Sequence, residues 1–255
     1  MKITFLGTGT SYGVPVIGCE CAICQSTSPR NKRLRSSLLI SIDNKNILID
    51  TTPDIRTQLL KTQTKHLDAI LFTHYHADHI LGLDDVRIFN RIQKETIPCF
   101  ALNNTIETIQ SIFGYAFDPK TPEGGGLPKL TLHTIDKPFD LFGKTVTPVH
   151  VLHGKLPIIG FKWNNFAYVT DCSFMPEESK KLLYKIDTLV LNGLRYRPHS
   201  THFSIGESLE IIKEIQPKRA YLTHLSHDVD HENLEIKLPD NVQIAYDNLS
   251  LKIQD

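Results

Sequence analysis

The chain of 255 residues carries 28 basic and 28 acidic side chains, so its formal net charge is zero, and 40% of its residues are hydrophobic. This composition is typical of a globular protein with a sizeable core. The charge balance argues against a protein whose main task is to coat nucleic acid, because such binding depends on neutralising many phosphates, although a locally basic cleft is compatible with it. No stretch approaches the roughly 18 apolar residues of a membrane span. The segment Met1–Gly9 also lacks the features of a signal peptide, so we expect a cytoplasmic protein.

Short β-like runs alternate with helix-like stretches along the whole chain, which predicts an α/β fold. No linker divides the sequence, and we expect one domain over residues 1–255. The predicted strands are Ile3–Leu6, Ser37–Ile42, Asn46–Ile49, Ala69–Thr73, Cys99–Leu102, Thr145–Val149, Ala167–Thr170, Thr188–Leu191, Ala220–Thr223 and Gln243–Ala245. The predicted helices are Asp54–Lys61, Leu83–Gln93, Thr105–Phe113, Pro176–Lys185 and Ser204–Ile215. A glycine-containing loop over Tyr115–Lys129 is either a plain surface connection or a substrate lid.

Three of the β-like runs end in Thr followed directly by a potential metal ligand. These ligands are His74, Asp171 and His224, and a fourth run leads after a short step to His153. Sheets of this kind place ligand sites at their strand ends, where loops converge on one crevice. The pattern therefore predicts one metal site built from distant parts of the sequence.

The densest group of ligand-type side chains is the run His74-Tyr75-His76-Ala77-Asp78-His79, which follows a predicted strand. Imidazole suits zinc, and the added carboxylate gives a site that fits Zn²⁺ or Mn²⁺. Four ligands within six positions exceed what one tetrahedral ion can bind while it keeps a water position open. The run therefore indicates two divalent ions, with Asp78 and His79 in a turn before the next helix.

A second group of ligands is Cys19-Glu20-Cys21-Ala22-Ile23-Cys24. Three thiolates this close together predict a structural Zn²⁺ that needs a fourth ligand, and His227, three residues after His224, is the candidate. Because no second cysteine cluster exists to form disulfides, a reducing compartment is favoured. We expect the remaining cysteines, Cys99 and Cys172, to be structural.

The run His-x-His-x-Asp-His after a β-strand resembles the signature of the metallo-β-lactamase superfamily. The resemblance implies the αβ/βα four-layer sandwich, in which two sheets face each other with helices outside. It also implies that Asp50 orients a liganding histidine and that Asp171 bridges two metals. The implied ligands of the first metal are His74, His76 and His153, and those of the second are Asp78, His79 and His224.

Together with Gly7-Thr8-Gly9, the cysteine group resembles the cyclic phosphodiesterases of bacterial phosphonate degradation, the PhnP-like family. This resemblance implies a small cyclic phosphodiester as substrate and a homodimer. Ribonuclease Z is a related alternative, disfavoured because its long tRNA-binding arm has no counterpart here. The pyrroloquinoline-quinone biosynthesis protein B shares a cysteine group. A metal-stabilised binding module without turnover stays open, although no ligand is missing.

The segment Arg195–Ser204 precedes a predicted helix. In the resembled phosphodiesterases and in ribonuclease Z, a histidine of this region reaches the scissile phosphate, and we assign that role to His202, with His199 as competitor. The predicted reaction is hydrolysis of a phosphodiester by a hydroxide shared between the two metals. Asp78 is essential in this prediction, and His202 protonates the leaving alkoxide.

Other polar residues receive no chemistry. The basic group Arg30, Lys32, Arg33 and Arg35 predicts a solvated loop, with a rim that attracts phosphate as the alternative. We expect the remaining histidines to lie on the surface or to pack structurally. They are His66, His133, His150 and His231.

Overall fold

The computed structural model describes residues 1–122 and 126–254. Its strands are β1 Lys2–Gly7, β2 Ser37–Ile42, β3 Lys45–Ile49, β4 Ala69–Leu71, β5 Ile97–Ala101, β6 Leu130–Thr134, β7 Phe139–Leu141, β8 Lys144–His153, β9 Leu156–Trp163, β10 Phe166–Val169, β11 Thr188–Asn192, β12 Arg219–Thr223, β13 Val242–Ile244 and β14 Ser250–Lys252. Its α-helices are α1 Ala22–Gln25, α2 Ile55–Lys61, α3 Ala77–Ile80, α4 Arg87–Gln93, α5 Asn103–Ile112, α6 Glu177–Leu183, α7 Ile205–Ile215 and α8 His231–Glu235. Short 3₁₀ helices cover Pro29–Asn31, Leu83–Val86 and Gly114–Ala116.

The strands form two mixed seven-stranded sheets. The first has the order β14-β1-β2-β3-β4-β5-β6, and the second has the order β13-β12-β11-β10-β9-β8-β7. In the first sheet β3, β4, β5 and β6 run parallel, and in the second β10, β11, β12 and β13 do. The parallel strands of each sheet therefore end at one common edge, as the predicted convergence of ligands requires.

Successive side chains of a strand point to opposite faces of its sheet, and they therefore belong to different hydrophobic cores, of which there are three among the described residues. Ile47 and Ile49 of β3 face the second sheet, whereas Leu48 between them faces the outer helices α2, α4 and α5. All three side chains are fully buried, which is typical of a strand covered on both faces. A third core lies between the second sheet and helices α6, α7 and α8. The resulting helix, sheet, sheet, helix layering confirms the predicted metallo-β-lactamase sandwich.

Helix α7 begins as the sequence predicts. The Ser204 hydroxyl accepts a hydrogen bond from the Glu207 backbone N–H at 3.3 Å, and the Glu207 carboxylate accepts one from the Ser204 N–H at 2.7 Å. This reciprocal capping satisfies two backbone donors at the helix start. It fixes the direction in which the preceding Arg195–Phe203 segment enters the helix.

All ten predicted strands are present, and so are the five predicted helices, one of which is divided into two elements. The stretch predicted as one helix over Leu83–Gln93 is a 3₁₀ turn followed by α4, and the predicted turn at Asp78 and His79 is the one-turn helix α3. Strands β6, β7, β9 and β14 were not predicted. Strand β6 lies at a sheet edge with an exposed or half-buried pattern, so its sequence lacks a hydrophobic run. The Gly124 and Gly125 part of the predicted loop lies outside the described residues.

Among residues 1–122 and 126–254, no helix is both long and apolar enough to cross a membrane.

Candidate metal centre

Ligand-type side chains from both sheets meet at the edge where the parallel strands end. Asp50 follows β3, Asp171 lies two residues after β10, and His224 follows β12. His153 is the last residue of β8, and His74 lies three residues after β4. All five side chains are buried. The structure therefore brings the distant strand-end residues of the sequence analysis into one cluster.

Three of these residues have a left-handed backbone that non-glycine residues rarely adopt. The φ angles of Asp50, Asp171 and His224 are 62°, 58° and 59°. Such residues are retained where the surrounding structure enforces them, and they concentrate at functional sites. Here all three residues lie one or two positions after the end of a strand, so the unusual backbone coincides with residues at the cluster. The pattern could not be read from the sequence, because all three positions lack glycine.

The side chains form overlapping groups whose ligand atoms lie within 4.8 Å of one another. One group is His74, His76 and His153, which is the set that the resemblance implied for the first metal. Another is Asp78, Asp171 and His224, which contains most of the second set. The two remaining groups are His74 with His79 and Asp171, and His153 with Asp171 and His202.

Three histidines are oriented by a hydrogen bond at Nδ1. The His79 Nδ1 lies 2.8 Å from Asp50 Oδ2, and the His153 Nδ1 lies 2.6 Å from the carbonyl oxygen of Thr201. The Thr73 hydroxyl donates to Asp50 Oδ2 at 2.8 Å, so it accepts from the His74 Nδ1 at 3.0 Å. Because each of these partners accepts, Nδ1 carries the proton and Nε2 is free to bind a metal.

The charges around His79 provide a test of whether metals fit this cluster. Its Nε2 lies 3.2 Å from Asp78 and 3.4 Å from Asp171, while its Nδ1 contacts Asp50. Burial alone would lower the pKa of His79, but the three carboxylates raise it well above its usual value. Three carboxylates around one imidazole leave negative charge that a cation would neutralise.

Two buried nitrogen atoms point to the same conclusion. The Nε2 atoms of His74 and His79 make no hydrogen bond of acceptable geometry, which is rare for buried polar atoms, although the Nε2 of His79 lies beside the Asp78 and Asp171 carboxylates. Burial, followed by the neighbouring His79, lowers the pKa of His74 well below its usual value and so keeps the imidazole neutral. A neutral imidazole with a free Nε2 is the form that binds divalent metals. The residues present therefore fit the divalent ions that the superfamily binds.

The cysteine group forms a separate cluster. The Sγ atoms of Cys19, Cys21 and Cys24 lie 3.3, 3.5 and 3.5 Å from the Nδ1 of His227. All four ligand atoms lie within 4.8 Å of one another, which suits one tetrahedral ion. The Cys24 backbone N–H is the largest influence on the Cys21 thiol and lowers its pKa to about 6. The thiolate form that zinc requires is thus favoured at one position.

The Arg195–Phe203 segment contacts the histidine and aspartate cluster through Thr201 and His202. The Nε2 of His202 lies 3.2 Å from Asp171 Oδ2, and the side chain is 12% exposed. His199 lies behind it, because its Nδ1 is 3.3 Å from the Nδ1 of His202 and it has no contact of its own with the metal-binding groups. Of the two candidate histidines, His202 is therefore the one that faces the cluster.

One part of the basic group was predicted wrongly. Arg33 is 2% exposed, because the N-terminal loop packs against the chain near residue 245. Its guanidinium donates to the Thr8 hydroxyl at 2.8 Å, to the Ala245 carbonyl at 2.7 Å and to the His231 Nδ1 at 3.1 Å. Burial lowers its pKa to about 10. Arg33 is therefore a buried residue that ties the N-terminal loop to residues 231 and 245 by hydrogen bonds. It belongs neither to a solvated surface nor to a rim that attracts phosphate.

Several residues with a part in the site were missed by sequence reasoning. The Ser36 hydroxyl donates to the Gly9 carbonyl at 2.9 Å and lies 3.2 Å from the Nδ1 of His224. The Asn192 side chain accepts a hydrogen bond from the N–H of Cys172 and donates one to its carbonyl, directly after Asp171 in the chain. Cys172 and Cys99 are buried, as expected of structural cysteines.

The matching family is described as the beta-lactamase superfamily domain, and it covers residues 45–225. A crystal structure of a new diphosphatase from the PhnP family is 40% identical, with 99% of this chain and 98% of that chain covered and a TM-score of 0.93. Zn²⁺-bound PqqB from Methylobacterium extorquens is 19% identical, with 99% and 100% covered and a TM-score of 0.80, which shows the fold alone.

A curated relative from Porphyromonas gingivalis, named Octanoyltransferase, is 39% identical over 259 residues. The match covers 100% of this chain and 52% of that protein, so the chain spans about half the length of this relative. The family match over residues 45–225 and the structural similarity over 99% of the chain both indicate the same superfamily. The chain belongs to the metallo-β-lactamase hydrolase superfamily and, within it, to the PhnP family.

Proposed function

We propose that the chain is a dinuclear metal-dependent phosphodiesterase that hydrolyses a small, cyclic phosphodiester. The observation that carries this proposal is the position of His202. Its Nε2 reaches Asp171 Oδ2, and the two ligand sets that the family resemblance implies do not include it. A histidine beside a metal cluster, but not required by it, is suited to proton transfer.

The chain's own residues divide the work of this reaction. In the proposal His74, His76 and His153 would hold one metal, Asp78, His79 and His224 would hold the other, and Asp171 would serve both. Divalent metals at these positions would polarise the phosphoryl group and provide a water nucleophile near neutral pH. His202 lies beside Asp171, with 12% of its side chain exposed to solvent. There its Nε2–H can donate to the leaving alkoxide oxygen and prevent charge from building up on it.

The relatives support the same class of electrophile. A diphosphatase at 40% identity is named for a reaction at phosphorus. Acyl chemistry on the same cluster would not obviously need His202. RNA cleavage remains disfavoured in the proposal, because no long substrate arm is inserted between the strands described.

The test compares His202→Ala with the wild type on two phosphodiesters, after reconstitution with Zn²⁺ or Mn²⁺. On a ribosyl cyclic phosphate, whose alkoxide leaves poorly, we expect turnover to fall by about 10²–10⁴-fold. On bis-p-nitrophenyl phosphate the loss should be smaller, because that leaving group needs little protonation. Metal content and melting temperature should stay nearly unchanged.

The matched control is His199→Ala, which removes the neighbouring imidazole without touching the cluster. We expect its effect on the cyclic phosphate to be much smaller. If the reconstituted wild type turned over neither substrate, nor a diphosphate diester, the proposed chemistry would be wrong. If the His202→Ala variant lost a metal, His202 would be a metal ligand and not a proton donor.

A second candidate is hydrolysis of an acyl ester or thioester by the same cluster. The observation that favours it is the Porphyromonas gingivalis relative named Octanoyltransferase, about half of which lies outside the match. The reconstituted enzyme would then hydrolyse p-nitrophenyl octanoate faster than bis-p-nitrophenyl phosphate. The rate of this hydrolysis should also be unchanged in His202→Ala, because a thiolate or phenolate leaving group needs no general acid.

We also propose that the chain forms a homodimer, in keeping with the family resemblance. Light scattering coupled to size exclusion should then give about twice the chain mass of 28.9 kDa. A mass equal to that of one chain would contradict it.

A further inference from the structure

Thr201 lies between the two histidines of the Arg195–Phe203 segment and a metal ligand, and its backbone and side chain are engaged with all three. Its carbonyl oxygen accepts from the His153 Nδ1 at 2.6 Å. Its hydroxyl lies 3.0 Å from the Nδ1 of His202 and 3.2 Å from the Nδ1 of His199. Its backbone N–H donates to the Nδ1 of His199 at 3.3 Å.

The remaining group of Thr201, its methyl, packs on the residue after the ligand His153. A Cβ placed on Gly154, whose φ is +61°, would lie 3.0 Å from Thr201 Cγ2. The methyl and the carbonyl therefore hold the end of strand β8, while the hydroxyl serves the histidines. The two tasks involve different atoms, which makes them separable by substitution.

The direction of the hydrogen bonds follows from the donors. The Nδ1 of His199 accepts from the Thr201 N–H, so it carries no proton. It also lies 3.3 Å from the Nδ1 of His202, and two bare nitrogens at that distance would repel each other. The Nδ1 of His202 must then carry a proton, which points to the Thr201 hydroxyl and to His199. The imidazole plane of His202 is thereby fixed, with Nε2 towards the metal cluster.

We propose that Thr201 is a positioning residue, whose hydroxyl fixes the orientation of the His202 imidazole and thereby aims its Nε2 at the leaving group. The Thr201 hydroxyl, at 3.0 Å, is a nearer partner of the His202 Nδ1 than the His199 Nδ1 at 3.3 Å. The inference rests on the proposed function, since it concerns the step in which His202 acts. It adds a residue whose contribution is invisible in the ligand pattern of the sequence.

The test pairs Thr201→Val with Thr201→Ser. Valine keeps the methyl and the carbonyl, so the contact to His153 remains and only the hydroxyl is lost. We expect metal content and melting temperature close to the wild type. On the ribosyl cyclic phosphate kcat should fall about 10–100-fold, the usual loss when a residue that orients a functional side chain is removed, while KM changes little. Thr201→Ser, which keeps the hydroxyl, should restore most of kcat.

Two further measurements distinguish positioning from a purely structural role. In a His202→Ala background Thr201→Val should cause almost no additional loss, because both changes act through one imidazole. Long-range ¹H–¹⁵N spectra of the histidine-labelled, Zn²⁺-reconstituted protein should show a shifted His202 Nδ1 resonance in Thr201→Val, because its hydrogen bond to the hydroxyl is lost, and a resonance close to that of the wild type in Thr201→Ser.

The outcomes separate the inference from the proposal beneath it. If His202→Ala slows the cyclic phosphate and Thr201→Val does not, the positioning role is wrong and the proposed function stands. Equal losses in Thr201→Val and Thr201→Ser, or additive losses with His202→Ala, would also overturn it. If His202→Ala itself has no effect, the proposed function fails first, and the spectra alone then report on Thr201.

Discussion

The described residues form two clusters of ligand-type side chains that are built in opposite ways. One is the cysteine cluster, and the other is the histidine and aspartate cluster that we propose is catalytic and call the catalytic cluster. In the cysteine cluster three ligands lie within six residues of one loop, and only His227 comes from elsewhere. The catalytic cluster takes its ligands from the ends of four strands in two sheets and from helix α3. The first can be recognised from spacing alone. The second exists only once both sheets have formed, which makes it a product of the fold, whereas the cysteine cluster contributes to holding a loop in place.

The two clusters also differ in the backbone conformation and burial of their residues. Asp50, Asp171 and His224 at the catalytic cluster all have positive φ angles, and they are buried. None of the four ligands of the cysteine cluster has a positive φ angle, and only Cys24 among them is buried. Strained, buried ligands are pre-organised by the surrounding structure. A metal in the catalytic cluster should therefore matter for reaction, and a metal in the cysteine cluster should matter for stability.

The largest effect should come from Asp78→Ala. The carboxylate lies 3.2 Å from the Nε2 of His79 and belongs to the group with Asp171 and His224. Its loss should abolish measurable turnover of bis-p-nitrophenyl phosphate and leave the zinc of the cysteine cluster bound. Turnover above about a tenth of the wild type would show that the second metal is not needed.

Cys21→Ser should act on stability instead. Structural zinc binding contributes directly to folding, because the unfolded chain lacks the site. A loss of about 2 kcal/mol or more would lower the melting temperature by about 4 °C or more in a chain of this size. Differential scanning calorimetry of the zinc-loaded proteins measures this. Full stability combined with lost activity would reverse the roles assigned to the two clusters.

Asp50→Asn tests the layer behind the catalytic ligands. Asp50 accepts from the Thr73 N–H, the Thr73 hydroxyl and the His79 Nδ1, and an amide can serve only part of these donors. We expect a loss of about 10–100-fold in metal affinity or activity. Asp54→Asn is the matched control, because that carboxylate contacts Arg35 at the surface side of the same loop. Equal effects in both variants would contradict a specific role for Asp50.

The smallest effect should come from Cys99→Ala, which serves as the control for the cysteine cluster. Cys99 is fully buried in β5, with no metal-ligating neighbour among the described residues. Replacing it removes one buried sulfur, so we expect a stability loss of about 1 kcal/mol with metal content unchanged. A metal loss in this variant would show that cysteine reactivity, rather than the cluster geometry, governs zinc binding.

The sequence was sufficient for features that depend on local spacing. The strands that bear ligands, the His74–His79 run and the cap at Ser204 were all readable, and so was the pairing of Cys19–Cys24 with His227 as a hypothesis. Thr201 and Ser36 could not be found, because their partners His153 and His224 lie 48 and 188 positions away. Arg33 was misread for the same reason, since its burial depends on contacts with residues 231 and 245.

The central claim is that two independent metal clusters exist, one dinuclear and one mononuclear. Elemental analysis of gently purified, reconstituted protein tests it most directly when the wild type is measured beside Cys21→Ser and a His74→Ala, His76→Ala double variant. By the ligand counts of each cluster, we expect about three divalent ions per chain in the wild type and about two in Cys21→Ser. The double variant should hold fewer than three and keep the zinc of the cysteine cluster. One ion or none in the reconstituted wild type, or loss of all metal in either variant, would contradict the account.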